Sequence, residues 1–480
     1  MKTIDELLVE SHSSLREALK VIDRNMRGIC LVTEAGKLVG IASDGDIRRF
    51  LLQHEDLERP IRDAMNREFI ALPVESDDRL IRHTFHSRLK LIPLLDIEGR
   101  VVDVADVQRS HRIPVLEPEL SGNELKYVQD CVTTTWISSQ GKYVSRFEEM
   151  FEEMHPGMNA LAVCNGTSAL HLALEALGVK SGDEVIVPNV TFAASVNAIL
   201  YCQATPVLCE IDPLTWCLDV NEAEKLITPK TKAIMPVHLY GQVSQMDELR
   251  SLAQAHNLLI IEDCAEAIGS KLRSQPVGTF GDAATFSFFG NKTISTGEGG
   301  MVLFKSFDVA QRARILRDHG MDPNKRYWHN IVGFNYRLTN LQAAVGVAQL
   351  ERFPLILKRK RDIATSYHKK LSKVKGIAKL PSEATEVLHS NWLFTLILED
   401  KFNRDKVMQQ LILHGVDTRP VFYPMHQMPP YQTLRTSESL QHSNHISAYG
   451  LSLPSSVTLK DDDIDYVVKI LENTLEEQSA

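Results

Sequence analysis

The sequence predicts an α/β protein. Its main part is a mostly parallel sheet with helices on both faces, with a small α+β subdomain at the C-terminus and a separate α/β module at the N-terminus. Three observations lead there. Apolar strands alternate with longer amphipathic helices through the middle of the chain, the texture changes across a linker near residue 110, and the pattern becomes helix-led after about residue 355. The expected division is therefore 1–110, 111–355 and 356–480. With 480 residues, 44% hydrophobic and 24% charged, the chain can bury a sizeable core and is neither disordered nor fibrous.

In the first 110 residues, β-branched runs at 29–32, 38–42 and 101–104 alternate with charged helical stretches. Gly28 precedes the first run, Ala35-Gly36 turns into the second, and Ser43-Asp44-Gly45-Asp46 opens a helix carrying Ile47, Phe50 and Leu51. A run at 91–95, a turn at Glu98-Gly99 and the run at 101–104 repeat this order and lead to Asp106. The repeat resembles a pair of CBS motifs, βαββα modules that dimerise and bind adenine nucleotides. That resemblance implies that Ser43 and Asp46 hold a ribose. In the second copy Asp103 stands where Ser or Thr is expected, ahead of Asp106, and its charge would repel a phosphate. A dimerisation or scaffold module without a ligand is the alternative.

A linker at about 108–118, with Arg109, His111, Arg112, Pro114 and Pro118, interrupts any helical period. Beyond it, strands are expected at 161–163, 184–188, 206–211, 233–238, 258–262 and 284–289, and helices at 168–177, 245–256 and 308–318. Near-continuous apolar strands indicate a sheet buried on both faces, and ligands collect at the carboxyl ends of such strands. The uncharged run 185–209 is long enough to cross a bilayer, but Pro188, Asn189, Asn197, Gln203 and Pro206 interrupt it, so it reads as core. Strands at 391–398 and 416–419 belong to the last part.

Several function classes are excluded. Lys and Arg number 53 against 62 Asp and Glu, a net charge of −9, which gives no basic footprint for nucleic acid. Seven cysteines without paired spacing fit a reducing compartment. Asp5, Glu6 and Glu10 stand where an export signal needs an apolar core, so a cytoplasmic protein without a membrane partner is expected. No strand is followed by Gly-x-Gly-x-x-Gly, and neither a Walker loop nor His-Glu-x-x-His occurs. His83-x-x-His86 and His442-x-x-His445 lack a third ligand at a familiar spacing and read as surface or capping residues, so no metal site is expected.

Three segments carry chemistry. Asn165-Gly166-Thr167-Ser168 lies where a strand turns into a helix, and the free N–H groups there suit a phosphate, although Thr or Ser at a helix start also serves simply as a cap. Asp263 ends a buried apolar strand, where a carboxylate needs a cation: a protonated ring nitrogen, or else an Arg or a helix start. Lys292, in Gly290-Asn291-Lys292-Thr293, follows an apolar strand and precedes a Gly-rich turn. Its amine, partly desolvated, would supply the free base that imine formation requires, whereas a surface loop lysine would not. In that order the three provide anchors for the phosphate, ring nitrogen and aldehyde carbon of pyridoxal phosphate.

At these residues the chain resembles the DegT/DnrJ/EryC1/StrS sugar aminotransferases, which have the fold-type I architecture of aspartate aminotransferase. The resemblance covers about 113–480 and rests on TWISSQGKYVSRFE, CNGTSALHLALEALG, IEDCAEAIGS, GTFGDAATFSFFGNKTISTGEGGM, RYWHNIVGFNYRLTNLQAAVGVAQLE and TRPVFYPMHQMPPY. It implies that Lys292 bonds the cofactor, that Asp263 pairs with its ring nitrogen, and that Gly166, Thr167, Ser168 and Ser287 bind its phosphate. Phe192 would stack on the ring, with Glu266 near the 3-hydroxyl, and Asn335 would reach the phosphate from a neighbouring subunit, so that a homodimer is implied. Ser138, Ser139, Tyr423 and His426 match segments lining the acceptor cleft. The GNKT, YWH and RPVFYPxH segments together are most similar to members that aminate GDP-4-keto-6-deoxymannose at C4, with L-glutamate as the expected donor and surface polysaccharide as the destination. A UDP- or dTDP-linked sugar, or a nucleotide-sensing protein with a non-catalytic aminotransferase fold, is the alternative. Dehydratase members carry His in place of the lysine, and Lys292 argues against that class.

Overall fold

The computed structural model describes residues 4–76, 80, 81, 84, 91–106, 113–381 and 386–479. His83, His86 and the linker residues Arg109, His111 and Arg112 lie outside them, as does the side chain of Asp106. The chain divides into two compact units, Met1–Arg112 and Ile113–Ala480.

The N-terminal unit contains β1 (Leu8–Glu10), α1 (Leu15–Asn25), β2 (Ile29–Glu34), β3 (Lys37–Ser43), α2 (Asp44–His54), β4 (Leu72–Pro73), β5 (Leu91–Leu95) and β6 (Val101–Asp106). Helix α1 starts at Ser14, whose side chain forms a reciprocal cap with Glu17, and buries Leu15, Ala18 and Ile22 along one face. Strand β1 runs parallel to β2 and β2 antiparallel to β3, while β4 runs parallel to β5 and β5 antiparallel to β6. The two sheets share one connectivity, the counterpart of the repeat in the sequence.

The second unit opens with α3 (Glu124–Thr133), α4 (Lys142–Met154), β7 (Asn159–Val163) and α5 (Gly166–Ala176). There follow β8 (Glu184–Pro188), α6 (Ala193–Tyr201), β9 (Thr205–Cys209), α7 (Val220–Lys225), β10 (Thr231–Ile234), α8 (Met246–His256) and β11 (Leu259–Asp263). A ribbon of β12 (Lys271–Leu272) and β13 (Gln275–Pro276) leads to β14 (Ala283–Ser287), β15 (Gly300–Phe304), α9 (Phe307–Arg317) and α10 (Asn340–Leu371). The C-terminal part comprises β16 (Ile377–Lys379), β17 (Val387–Leu388), β18 (Phe394–Leu398), α11 (Arg404–Leu413), β19 (Arg419–Pro420), β20 (Arg435–Thr436), α12 (Gln441–Tyr449), β21 (Gly450–Leu453) and α13 (Asp461–Ser479).

The central sheet has the order β20-β9-β8-β10-β11-β14-β15-β7. Neighbours from β20 to β14 are parallel, and β15 is antiparallel to both of its neighbours. Side chains of one strand feed two cores: Val185 and Val187 pack in one apolar cluster and Ile186 in another. Both faces are therefore covered, which is why these strands read as continuous apolar runs. The antiparallel strand corrects one expectation. Gly300 and Met301, read as part of a loose turn, begin β15, and Thr293 to Thr296 ahead of them are buried. Helix α10 runs through residue 355, and beyond it Ile363, Tyr367 and Leu371 share a core with Phe394, Leu396 and Leu398 of β18. No helix among the described residues is long and apolar enough to cross a membrane.

Candidate active site

At the carboxyl ends of these strands lies a cavity of about 400 Å³ lined by Gly166, Thr167, Phe192, Asp263, Glu266, Ser287 and Lys292, among others. Residues far apart in the chain meet here because the parallel strands deliver all their ends to one edge.

Helix α5 supplies the first wall. Asn165 caps it by accepting the Ser168 N–H at 2.8 Å, while the first-turn amides of Gly166 and Thr167 have no acceptor within the helix. A Cβ at Gly166 would stand 2.8 Å from the Cβ of Ser287, so only glycine lets the helix start approach the end of β14 this closely. Ser168 is not among the residues that line the cavity. It is buried, with its hydroxyl 3.3 Å from the Cys164 sulfur.

Asp263 ends β11, buried, and is held by two donors: the Ser195 hydroxyl at 2.8 Å and the Ala265 N–H at 3.1 Å. It forms no ion pair among the described residues and has no Arg partner there; the cation whose charge it feels is Lys292. Beside it, Glu262 is fully engaged elsewhere, accepting the N–H groups of Gly278, Phe280 and Gly281 and contacting His238 Nε2 at 3.0 Å.

Lys292 sits in the loop after β14 and is enclosed. Its Nζ lies 3.7 Å from Oε1 of Glu266 and 4.1 Å from the ring centre of Trp392. Burial pulls its pKa down, opposed by the charges of Glu266 and Asp263. Burial likewise pushes Glu266 up to about 7, opposed by Lys292 and by the Tyr240 N–H that its other oxygen accepts at 2.8 Å. An amine with a lowered pKa, reachable from the cavity, is what a carbonyl-capturing lysine requires.

Phe192 is 60% exposed, with its ring centre 6.0 Å from that of Phe422. Both rings also line a second cavity of about 380 Å³, which includes Tyr240, Arg419 and Tyr423. His426 lies outside both linings, its Nδ1 about 3 Å from the Asn189 amide, and burial lowers its pKa. Ser138 and Ser139 lie outside both as well; the Ser138 carbonyl accepts the Asn340 N–H. Asn335 is exposed, bridged to Asp318, and does not line the cavity of its own chain.

In the N-terminal unit, Ser43 and Asp46 are partners of each other. The Ser43 hydroxyl and N–H both donate to Asp46 Oδ2, at 2.6 and 2.9 Å, Asp46 N–H returns a bond to Ser43, and Arg49 pairs with the carboxylate. This is the reciprocal cap that starts α2.

Sequence reasoning missed Trp392 and Ser195. Trp392 donates its Nε1–H to the Asn291 carbonyl at 2.7 Å, holding the residue before Lys292, and its own carbonyl accepts from the buried Lys360 Nζ at 2.7 Å. Nothing near Lys292 in the sequence announces a residue this far along the chain.

The cavity fits pyridoxal phosphate: a helix start where only glycine is accommodated, a buried carboxylate without an ion pair among the described residues, and a buried amine line the same space. The profile of the DegT/DnrJ/EryC1/StrS aminotransferase family matches residues 118–472, and that of the CBS domain matches residues 2–53. The chain is 49% identical over 366 residues to the GDP-perosamine synthase of Caulobacter vibrioides, covering 76% of this chain and 98% of that protein. It is 47% identical over 364 residues to the GDP-perosamine synthase of Vibrio cholerae, covering 75% and 98%. Among solved structures, S. venezuelae DesV superposes with a TM-score of 0.72 at 33% identity, covering 76% of this chain and 99% of that one. The chain belongs to the DegT/DnrJ/EryC1/StrS aminotransferase family and depends on pyridoxal phosphate.

Proposed function

We propose that the protein is a GDP-sugar 4-aminotransferase that converts GDP-4-keto-6-deoxymannose to GDP-perosamine, with L-glutamate as donor, for a surface polysaccharide. The observation that carries this reading is the identity of nearly one half to GDP-perosamine synthases along almost their whole length.

Pyridoxal phosphate, when bound, supplies an electron sink for the carbanion formed at the donor's α-carbon and, in reverse, at the sugar. Lys292 would hold the cofactor through Nζ, and its free amine would be the base that moves the donor's α-proton. Asp263 keeps the ring nitrogen protonated, with Ser195 fixing the carboxylate's orientation. Gly166, Thr167 and Ser287 would receive the phosphate, whereas the Ser168 N–H is already donated to the Asn165 side chain and its hydroxyl lies against the Cys164 sulfur. Phe192 would cover the ring and Glu266 would face the 3-hydroxyl, where a pKa of about 7 would let it carry or release a proton. The sugar nucleotide occupies the outer cavity at Tyr423, with His426 positioned behind it by Asn189. Asn335, exposed in the segment after Val332, serves the cavity of a second copy, and Ser138 and Ser139 approach the acceptor in the same assembly. The N-terminal module adds an assembly interface. Nucleotide sensing there would first have to open the Ser43–Asp46 cap, and calorimetry with AMP, ATP and GDP tests that step.

The deciding assay compares GDP-, UDP- and dTDP-linked 4-keto-6-deoxy sugars with glutamate as donor, reading the amino sugar by mass spectrometry. Amination of the GDP-linked sugar alone is expected. Preference for another nucleotide would displace the substrate assignment, and no amination of any would end the proposal.

A further inference from the structure

Helix α5 does more than begin the phosphate cradle. His171 and Glu175 lie one turn apart on one of its faces, and Cys202, the residue that ends α6, joins them. His171 Nε2 and Glu175 Oε1 are 3.6 Å apart, and the donor atoms of all three residues lie within 4.8 Å of one another. His171 is only 6% exposed, yet its Nε2 has no hydrogen-bond partner, while Nδ1 is 3.0 Å from the Tyr336 hydroxyl. A buried ring nitrogen without a partner is uncommon and calls for an explanation.

We infer that His171, Glu175 and Cys202 form a binding site for one divalent cation of the zinc class. A tetrahedral zinc ion holds nitrogen, oxygen and sulfur ligands about 3.3–3.6 Å apart, so the site closes with small side-chain adjustments. One thiolate and one carboxylate balance the dication. The thiol proton leaves to solvent as the sulfur–metal bond forms, and the half-exposed Glu175 leaves a path for the ion and a fourth position for water. Tyr336 fixes the tautomer: with Nδ1–H donating to its oxygen, the Nε2 lone pair points at the site. The rings of Phe334, Tyr336 and Tyr201 surround the imidazole at 4.9, 5.9 and 5.8 Å and keep it from turning.

A second cluster of the same composition shows the difference. His238, Glu262 and Cys264 also approach one another within 4.8 Å, but there the carboxylate accepts three backbone amides and the imidazole, whose Nδ1 accepts the Ser244 N–H. Neither the carboxylate nor the imidazole has a lone pair left for an ion. In the proposed site the ion would also tie α5 to the segment carrying Asn335, because the Tyr336 carbonyl accepts the Cys164 N–H at 2.8 Å just before the cap of α5.

The test uses the full-length, cofactor-loaded protein, stripped with a chelator and titrated with Co²⁺. One cobalt per chain is expected, with ligand-field bands at wavelengths beyond the cofactor's absorption, displaced by Zn²⁺. The bands should vanish in Cys202→Ser and weaken at least tenfold in affinity in Glu175→Gln, whose half-exposed position tolerates the change. Zn²⁺ should raise the thermal midpoint of the wild-type protein and not that of either variant. No bands in the wild-type protein, or bands unchanged in both variants, would overturn the site.

Discussion

Nζ of Lys292 stands 3.7 Å from Oε1 of Glu266 inside one enclosed cavity, and burial drives their proton affinities toward each other: the acid rises to about 7 while the amine falls. The Glu266 carboxylate favours the charged form of Lys292, the form that cannot attack a carbonyl. In Glu266→Gln that support is gone, so the amine becomes free at lower pH. The midpoint of pyridoxal phosphate uptake by the stripped protein, followed by absorbance against pH, is expected to move about 1–3 units toward acid. An unmoved midpoint would mean that the two groups are not coupled.

Trp392 connects the C-terminal part of the chain to the lysine loop through its Nε1–H bond to the Asn291 carbonyl. Trp392→Phe removes that bond while keeping an aromatic ring, though a smaller one, next to Lys292 and Tyr240. A net loss of about 0.5–1.5 kcal/mol in holding the loop corresponds to a rate lower by roughly twofold to twelvefold, with cofactor still bound. Single-turnover kinetics of the bleaching by glutamate would measure it.

Asp263→Asn preserves shape and the Ser195 contact but removes the charge that keeps a ring nitrogen cationic. Half-reaction rates with glutamate should fall by roughly 10²–10³-fold, comparable to removing one fixed electrostatic stabiliser in other enzymes. Lys292→Ala should go further and abolish the borohydride-reducible chromophore. A visible cofactor band in Asp263→Asn, with rates like the wild type, would refute the role given to Asp263.

Lys360 is buried and donates to two carbonyls, those of Trp392 and Ser455, each at 2.7 Å. Two acceptors match the two hydrogens of a neutral amine, and burial lowers its pKa to about 7. The unfolded chain therefore holds a proton there that the folded chain lacks at alkaline pH. The stability contribution is complete above the unfolded value of about 10.4 and is lost as pH falls toward 7, with a slope of at most about 1.4 kcal/mol per pH unit. Urea unfolding between pH 7 and 10 should show stability rising in the wild type, and a flatter curve in Lys360→Met.

Strand ends with strong apolar runs, such as Ile260-Ile261 ahead of Asp263, were readable because a doubly buried strand leaves a continuous signal. The place of Lys292 just after β14 was readable for the same reason. Strand β15 was not, because its first residue is one of a Gly pair that looks like a turn, and only the antiparallel ladder with β7 and β14 discloses it. The direction of Ser168 was hidden too: α5 is apolar on nearly all sides, so its period does not say which polar residue faces outward. Ser-x-x-Asp at 43–46 has two physical meanings, a ribose clamp or a reciprocal helix cap, and the spacing is identical for both. Trp392 and Ser195 depend on tertiary contacts that no local pattern encodes.

The ladder pairing Asp263 with Thr285 has an evolutionary corollary. Alternate residues of a strand point to opposite sides, so one inserted codon upstream of Ser287 within β14 would turn the strand's subsequent side chains over and spoil the junction with Gly166. Loops between the strands can lengthen without that consequence, but the distance in residues from Ala283 to Ser287 is fixed by the ladder.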